Sequence, residues 1–229
     1  MPICLQGGGE FAPACREMDA GLLALGPPGP VVVTALAGRP GSERDTADAN
    51  GVRHFRALGA EAFAAPDARE DEAGAVAAID SASVLFLPGG SPARLLRALA
   101  PAAVRAALRA LVDRGGVLAG ASAGAMVLAE WTLLPESGAT PTVAAGLGFV
   151  PGVVVLPHFS GDTGWLRALD DRAGVTALGL PECSGVVIHD GTWTPVGASA
   201  PTLITPRGTM PLETDVSAPL SRDTATDGR

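Results

Sequence analysis

Over roughly its first 130 residues the chain alternates short apolar runs with stretches that repeat apolar residues every three or four positions. The runs read as strands and the repeats as helices, an order that predicts a parallel sheet covered on both faces. Ile3–Leu5 is the first strand, stopped by Gly7-Gly8-Gly9. Met18, Leu22 and Leu25 then lie on one helical face, with Gly26 as the stop. Val31–Leu36 is a second strand. Ser42-x-x-Asp45 has the form of a capping box opening a helix through Val52, Phe55 and Leu58. Glu61–Ala65 and Val84–Leu87 read as strands around an alanine-rich helix, Glu72–Asp80. Ala93–Ala100 and Ala102–Asp113 read as helices, and Gly115-Gly116 breaks the second. The apolar run from Val117 leads to Ser122, followed by helix-forming residues ending near Glu130.

Beyond about residue 131 the pattern changes. Val153–Leu156 is a strand running into Pro157-His158-Phe159, and Gly185–Ile188 and Thr192–Val196 flank Asp190-Gly191, a two-residue hairpin signal. Leu203–Thr205 reads as one more strand. The expected fold is α/β: a doubly wound, mostly parallel sheet flanked by helices, with a C-terminal β-hairpin. Residues 1–210 form one domain in this reading, and the Thr-, Asp- and Ser-rich stretch 211–229 is a flexible tail.

Composition narrows the class. The 229 residues are 47% hydrophobic and 17% charged, which is the balance of a packed globular chain and not of a disordered one. A formal net charge of −8 speaks against nucleic-acid and anionic-membrane partners, since both select clustered cations. The first 25 residues lack a basic segment followed by an apolar core, so a cytoplasmic location without a secretory signal is expected. Cys4, Cys15 and Cys183 form no C-x-x-C pair and read as reduced thiols. Neither a metal nor another cofactor is called for, since no ligand spacing, dinucleotide loop or phosphate cradle is present.

Gly120-Ala-Ser122-Ala-Gly124 carries the chemistry. A serine between glycines on a strand-to-helix turn is the pattern of a nucleophile elbow, whose bend leaves no room for a Cβ at the flanking positions. Serine needs a base, and there are three histidines. His54, beside Arg53 and Arg56, reads as a solvated helix residue, and His189 as a turn or edge-strand residue. His158 ends an apolar strand at the rim where open α/β sheets gather their sites, and it is the favoured base. Glu182, between Leu180 and Val186, is the candidate for the orienting carboxylate, with Asp162, Asp170 and Asp171 as competitors. Oxyanion donors are expected from the strand-end turn at Gly89 and Gly90 and from the amide of Ala123.

These segments resemble the dipeptidase E and cyanophycinase family of serine peptidases, which has the class I glutamine amidotransferase-like fold. The likeness spans residues 3 to about 205. It rests on Gly7-Gly-Gly9, Phe86-Leu-Pro-Gly-Gly90, Gly120-Ala-Ser-Ala-Gly-Ala125, Gly146-Leu-Gly-Phe-Val-Pro-Gly152, Pro157-His158-Phe159 and Gly179-Leu-Pro-Glu182. The resemblance implies a triad of Ser122, His158 and Glu182 and cofactor-free intracellular hydrolysis of short peptides or of an acidic-residue polymer. Three segments depart from the family pattern. Ser91-Pro92 replaces the usual polar pair after the glycines, Leu156 stands two before the histidine, and Ser160-Gly-Asp-Thr-Gly-Trp165 replaces an arginine-bearing segment. Ser91, Asp162, Thr163 and Arg167 are therefore the expected substrate-binding residues.

The sequence is read as a serine hydrolase acting on a small peptide or amide substrate, as a monomer or homodimer. One alternative is an esterase of the α/β-hydrolase type using Ser122, an acid between Asp162 and Asp171, and His189. Another is a non-catalytic, ligand-binding domain on the same scaffold.

Overall fold

A computed structural model of the chain describes residues 1–135, 140–169, 174–205 and 207–217. Its centre is a run of parallel strands: β1 (Ile3–Gln6), β2 (Val31–Val33), β3 (Ala62–Ala64), β4 (Val84–Leu87) and β5 (Val117–Ala121). They lie in the order β1-β5-β4-β2-β3. All but β3 are buried along their whole length, which is why their sequences are unbroken apolar runs. Alternate residues serve opposite faces. Val31, Val33, Val84, Phe86, Val117 and Ala119 pack on Leu22 of α1 (Arg16–Leu23) and Phe55 of α2 (Ser42–Ala57). Val32, Leu85, Leu87 and Leu118 face α3 (Glu72–Ser81), α4 (Pro92–Ala98) and α5 (Ala102–Asp113) through Ile79, Leu95 and Leu108. That is the doubly wound arrangement expected.

The first sheet continues antiparallel past β1. There β10 (Ser184–His189) and β11 (Thr192–Gly197) form the anticipated hairpin. Asp190 and Gly191 both take positive φ, 49° and 78°, as a two-residue turn with the strands' own twist requires. Sheet also continues into the stretch expected to be a tail, because β14 (Val216–Ser217) pairs with β11. The remainder of that stretch, 218–229, lies outside the described residues.

The helix opened at Ser122 is shorter than expected. As α6 (Ala123–Leu128) it ends two residues before Glu130, and the chain passes directly into β6 (Ala129–Leu134). A second sheet follows, absent from the expected layout. It joins β6 to β7 (Thr142–Ala145), β8 (Val150–Leu156), β9 (Thr176–Gly179), β12 (Thr202–Thr205) and β13 (Gly208–Pro211). The capping box at Ser42 also does not form. Gly41 is the residue preceding the helix, and the Glu43 carboxylate instead accepts from the Arg39 amide at 3.1 Å.

His54 is buried, contrary to its expected place in solvent. The α2 face that packs inward carries Gly51, His54 and Phe55. His54 Nε2 lies 2.8 Å from Asp19 Oδ2, and Gln6 Nε2 donates to Asp19 Oδ1 at 2.8 Å. Asp19 is fully buried, so this pair of contacts ties α1, α2 and the end of β1 together. Removing the carboxylate strands two polar side chains in the core. Asp19→Ala should therefore cost about 3 kcal/mol in urea denaturation, with the slope of the transition unchanged. A midpoint equal to that of the parent would show that the network contributes nothing.

Candidate active site

Ser122 sits between β5 and α6 with φ 50° and ψ −112°, a conformation that costs a side-chain-bearing residue about 1–3 kcal/mol. The surrounding glycines make the bend possible. A Cβ on Gly124 would stand 1.9 Å from the Leu87 carbonyl oxygen, and one on Gly120 would stand 2.4 Å from the Gly124 carbonyl carbon. The Ser122 amide donates to the Gln6 carbonyl at 2.9 Å, which fixes the elbow to the end of β1.

The loop after β1 then assembles the rest. Gly7 donates to the Ser184 carbonyl at 2.9 Å and accepts from the His158 amide at 2.8 Å, while Gly8 accepts from the Cys183 amide at 2.8 Å. Gly8 has φ +126°, and a Cβ there would lie 2.3 Å from His158 Cε1. The imidazole thus rests with its Cε1 corner against bare backbone. Read as a strand stop in the sequence, this glycine triplet is the floor of the site.

Two hydrogen bonds run through the assembled side chains. Ser122 Oγ is 3.0 Å from His158 Nε2, and His158 Nδ1 is 2.9 Å from Glu182 Oε1. A carboxylate accepts from the Nδ1–H, so Nε2 is left as an acceptor for the serine proton. His158 and Glu182 are both exposed, at 50% and 65% of their side-chain surface, so the relay is open to solvent from one side. His189 does not join it. It lies at the end of β10 with Nε2 3.5 Å from Asp190 Oδ2, which removes the base required by the esterase alternative.

The three expected oxyanion donors differ in state. Among the described residues the amides of Gly90 and Ala123 have no hydrogen-bond partner. The Gly89 amide donates to Glu10 Oε1 at 2.7 Å. Glu10 was not anticipated, and its neighbour Phe11 has φ 66°. Of the five non-glycine residues with positive φ among the described residues, Phe11, Ser122, His158 and Cys183 are all in this site or next to one of its acids. Among the described residues, backbone strain is concentrated here.

The expected substrate-binding residues are occupied locally. Ser91 Oγ caps α4 by accepting from the Arg94 amide at 3.3 Å. The Asp162 carboxylate accepts from the Gly164 amide at 2.8 Å and opens a 3₁₀ turn, Gly164–Leu169. The Thr163 carbonyl accepts from Leu166, and Arg167 Nε donates to the Gly164 carbonyl at 3.3 Å. Among the described residues none of the four bonds to Ser122, His158 or Glu182. Asp170 and Asp171 lie outside the described residues.

Two thiols support the floor. Cys15 Sγ lies 3.2 Å and Cys183 Sγ 3.7 Å from the Gly9 carbonyl oxygen. Burial, and then the neighbouring Cys183 thiol, push the Cys15 thiol far above its ordinary range, so it is a neutral packing group. A groove of about 700 Å³ between α1 and the β10–β11 hairpin is lined by Met18, Leu25, His189 and Val196 and contains none of the site residues.

A family model described as peptidase family S51 matches residues 42–200. A solved peptidase from an acI-B1 Actinobacterium is similar with a TM-score of 0.80 at 24% identity, over 94% of this chain and 96% of that one. A candidate peptidase E from Listeria monocytogenes EGD-e is similar with a TM-score of 0.62 at 13% identity, over 86% of this chain and 98% of that one. No curated protein matches the sequence.

The floor has a direct test. Gly8→Ala puts a methyl group inside the imidazole's contact distance and should slow phosphonylation of Ser122 by a fluorophosphonate probe about 10²-fold, since misplacement near 1 Å has that effect. A parental labelling rate in a cooperatively folded variant would sink the packing argument.

Proposed function

This chain belongs to peptidase family S51, and from that premise we propose that it cleaves short peptides through a Ser122–His158–Glu182 triad. The supporting observation is the unbroken relay of 3.0 Å and 2.9 Å from the strained serine through the imidazole to the carboxylate. Ser122 Oγ attacks the scissile carbonyl carbon as its proton passes to His158 Nε2. Glu182 holds the Nδ1–H and stabilises the imidazolium that results. The negative oxygen of the tetrahedral intermediate is taken by the free amides of Gly90 and Ala123. Collapse of the intermediate breaks the C–N bond, and the leaving amine carries off the proton from Nε2. Water then repeats the sequence on the acyl-enzyme, with His158 as base, and restores the serine. The exposed imidazole gives that water ready access.

No helix among the described residues is long and apolar enough to cross a membrane. We infer a cytoplasmic enzyme, a reading supported by the free thiols of Cys4, Cys15 and Cys183, which that compartment keeps reduced.

Peptide hydrolysis should fall at least about 10⁴-fold in Ser122→Ala and in His158→Ala, and the double variant should be no slower than either single one. Glu182→Gln should lose roughly one to two orders of magnitude less, since the imidazole keeps its other contacts. Multiplying losses in the first pair would mean independent roles and no triad.

Charge near the serine bears on substrate choice. Glu10 and Glu182 flank it, Asp162 stands four residues past His158, and Arg167 is bonded back to its own turn. An Asp-X dipeptide should therefore be cleaved about tenfold more slowly than the isosteric Asn-X dipeptide, equivalent to about 1.4 kcal/mol of repulsion in the transition state. The opposite preference, abolished by Arg167→Ala, would show that this arginine turns to serve an acidic substrate.

A further inference from the structure

We propose that Glu10 sets specificity on the acyl side, its carboxylate binding the α-ammonium group of the residue whose carbonyl is attacked. The proposal rests on the triad reading. Its starting point is a juxtaposition across one glycine. The position a Cβ of Gly89 would occupy is 2.8 Å from Glu10 Oε1, 3.1 Å from Ser122 Cβ and 3.5 Å from Ser122 Oγ. The carboxylate and the nucleophile thus converge on the same point beside Gly89.

Glu10 is half-buried, and its carboxylate accepts from the neutral Gly89 amide at 2.7 Å. Among the described residues no arginine, histidine or amino terminus comes within ion-pair distance of it. A half-buried carboxylate without a counter-charge is costly to hold unless something supplies one. The backbone that presents it is held firmly. Phe11, with φ 66°, lays its ring against His54, Phe55 and Phe86 at centroid distances of 5.5, 6.3 and 5.3 Å. Positive φ at a phenylalanine is expensive, and here it turns Glu10 toward Gly89.

Substrate geometry selects the cation. An α-ammonium nitrogen is two bonds from its own carbonyl carbon, about 2.5 Å away. When Ser122 Oγ is within about 3–3.5 Å of that carbon, the ammonium lies beside Gly89 and within reach of the carboxylate. The cation of a lysine or arginine side chain stands several bonds farther out. In an internal peptide bond the same nitrogen is uncharged and carries a further residue into the space that Glu10 occupies. A carboxylate at this point therefore selects peptides with a free N-terminal amine, and the enzyme removes their first residue.

The test compares dipeptides and their N-acetyl derivatives, including Lys-X beside norleucine-X, with kcat/KM measured for the parent, Glu10→Gln and Glu10→Asp. A fluorophosphonate label is run on the parent enzyme. The parent should favour the free amine by about 10- to 100-fold, the range of one charge-assisted hydrogen bond. Glu10→Gln should bring that ratio close to one, and Glu10→Asp should restore part of it. Equal slowing of both substrate forms in Glu10→Gln would give Glu10 a structural role and overturn the proposal, as would an unchanged ratio. A preference that follows the lysine side chain and ignores acetylation would overturn it too, by assigning the carboxylate to the other cation. A labelled Ser122 alongside any of these results leaves the triad reading standing. Failure of the parent's Ser122 to label brings down the triad reading and the role of Glu10 with it.

Discussion

Three backbone hydrogen bonds made by Gly7 and Gly8 hold this molecule's chemistry in place. They join the end of β1 to the residue after Pro157 and to the segment around Cys183, so that His158 and Glu182, from two separate crossings of the chain, meet Ser122. Side chains at Gly7 and Gly8 are excluded by contact: a Cβ would come within 2.0 Å of the Pro181 oxygen at the first and 2.3 Å of the imidazole at the second. Backbone contacts of this kind tolerate little adjustment, because an amide or carbonyl left unpaired has no cheap substitute. The distances between Ser122, His158 and Glu182 are thus inherited from the main chain and not from flexible side-chain reach.

Strain at Phe11, Ser122, His158 and Cys183 persists because the layers around it are rigid. Both faces of the parallel strands are covered by close-packed apolar side chains, and the Gln6–Asp19–His54 contacts pin the end of β1 to two helices. A core at that density does not yield to relax a few unfavourable φ values. The stability invested in the sheet is what keeps the loops at its carboxyl edge in conformations they would not adopt alone.

What could be read from the sequence was local. The strand-to-helix turn at Ser122, the Asp190-Gly191 hairpin and the strand running into Pro157-His158 each announce themselves within a dozen residues, and the structure has them where they were expected. Glu182 was a candidate from its apolar flanks at Leu180 and Val186, and the family resemblance set it above Asp162, Asp170 and Asp171. The misread positions share a cause. Arg53 and Arg56 made His54 look solvated, although its i−3 and i+1 neighbours Gly51 and Phe55 mark the inward face of α2. The second sheet went unseen because β6 begins directly at the end of α6, with no turn residue between them. Glu10 meets Gly89 across 79 residues of sequence, and no local pattern predicts such a contact. The triple glycine beside it at a strand's carboxyl end was the available hint, since bare backbone at that edge leaves room for other groups to approach.

The antiparallel pairing of β10 with β1 carries a further consequence. Glu182 stands just before β10, and that strand is aligned so that Leu5 faces Val186 and Gln6 faces Gly185. Side chains alternate along a strand, so a slip of one residue in this pairing would shift the acid by about 3.3 Å and turn Val186 away from the core. Burial of Val186 therefore works as a ruler for the acid. Apolar packing in the first residues of a strand meters out where the loop just before it must finish, and a site wide open to water inherits its dimensions from a place that water never reaches.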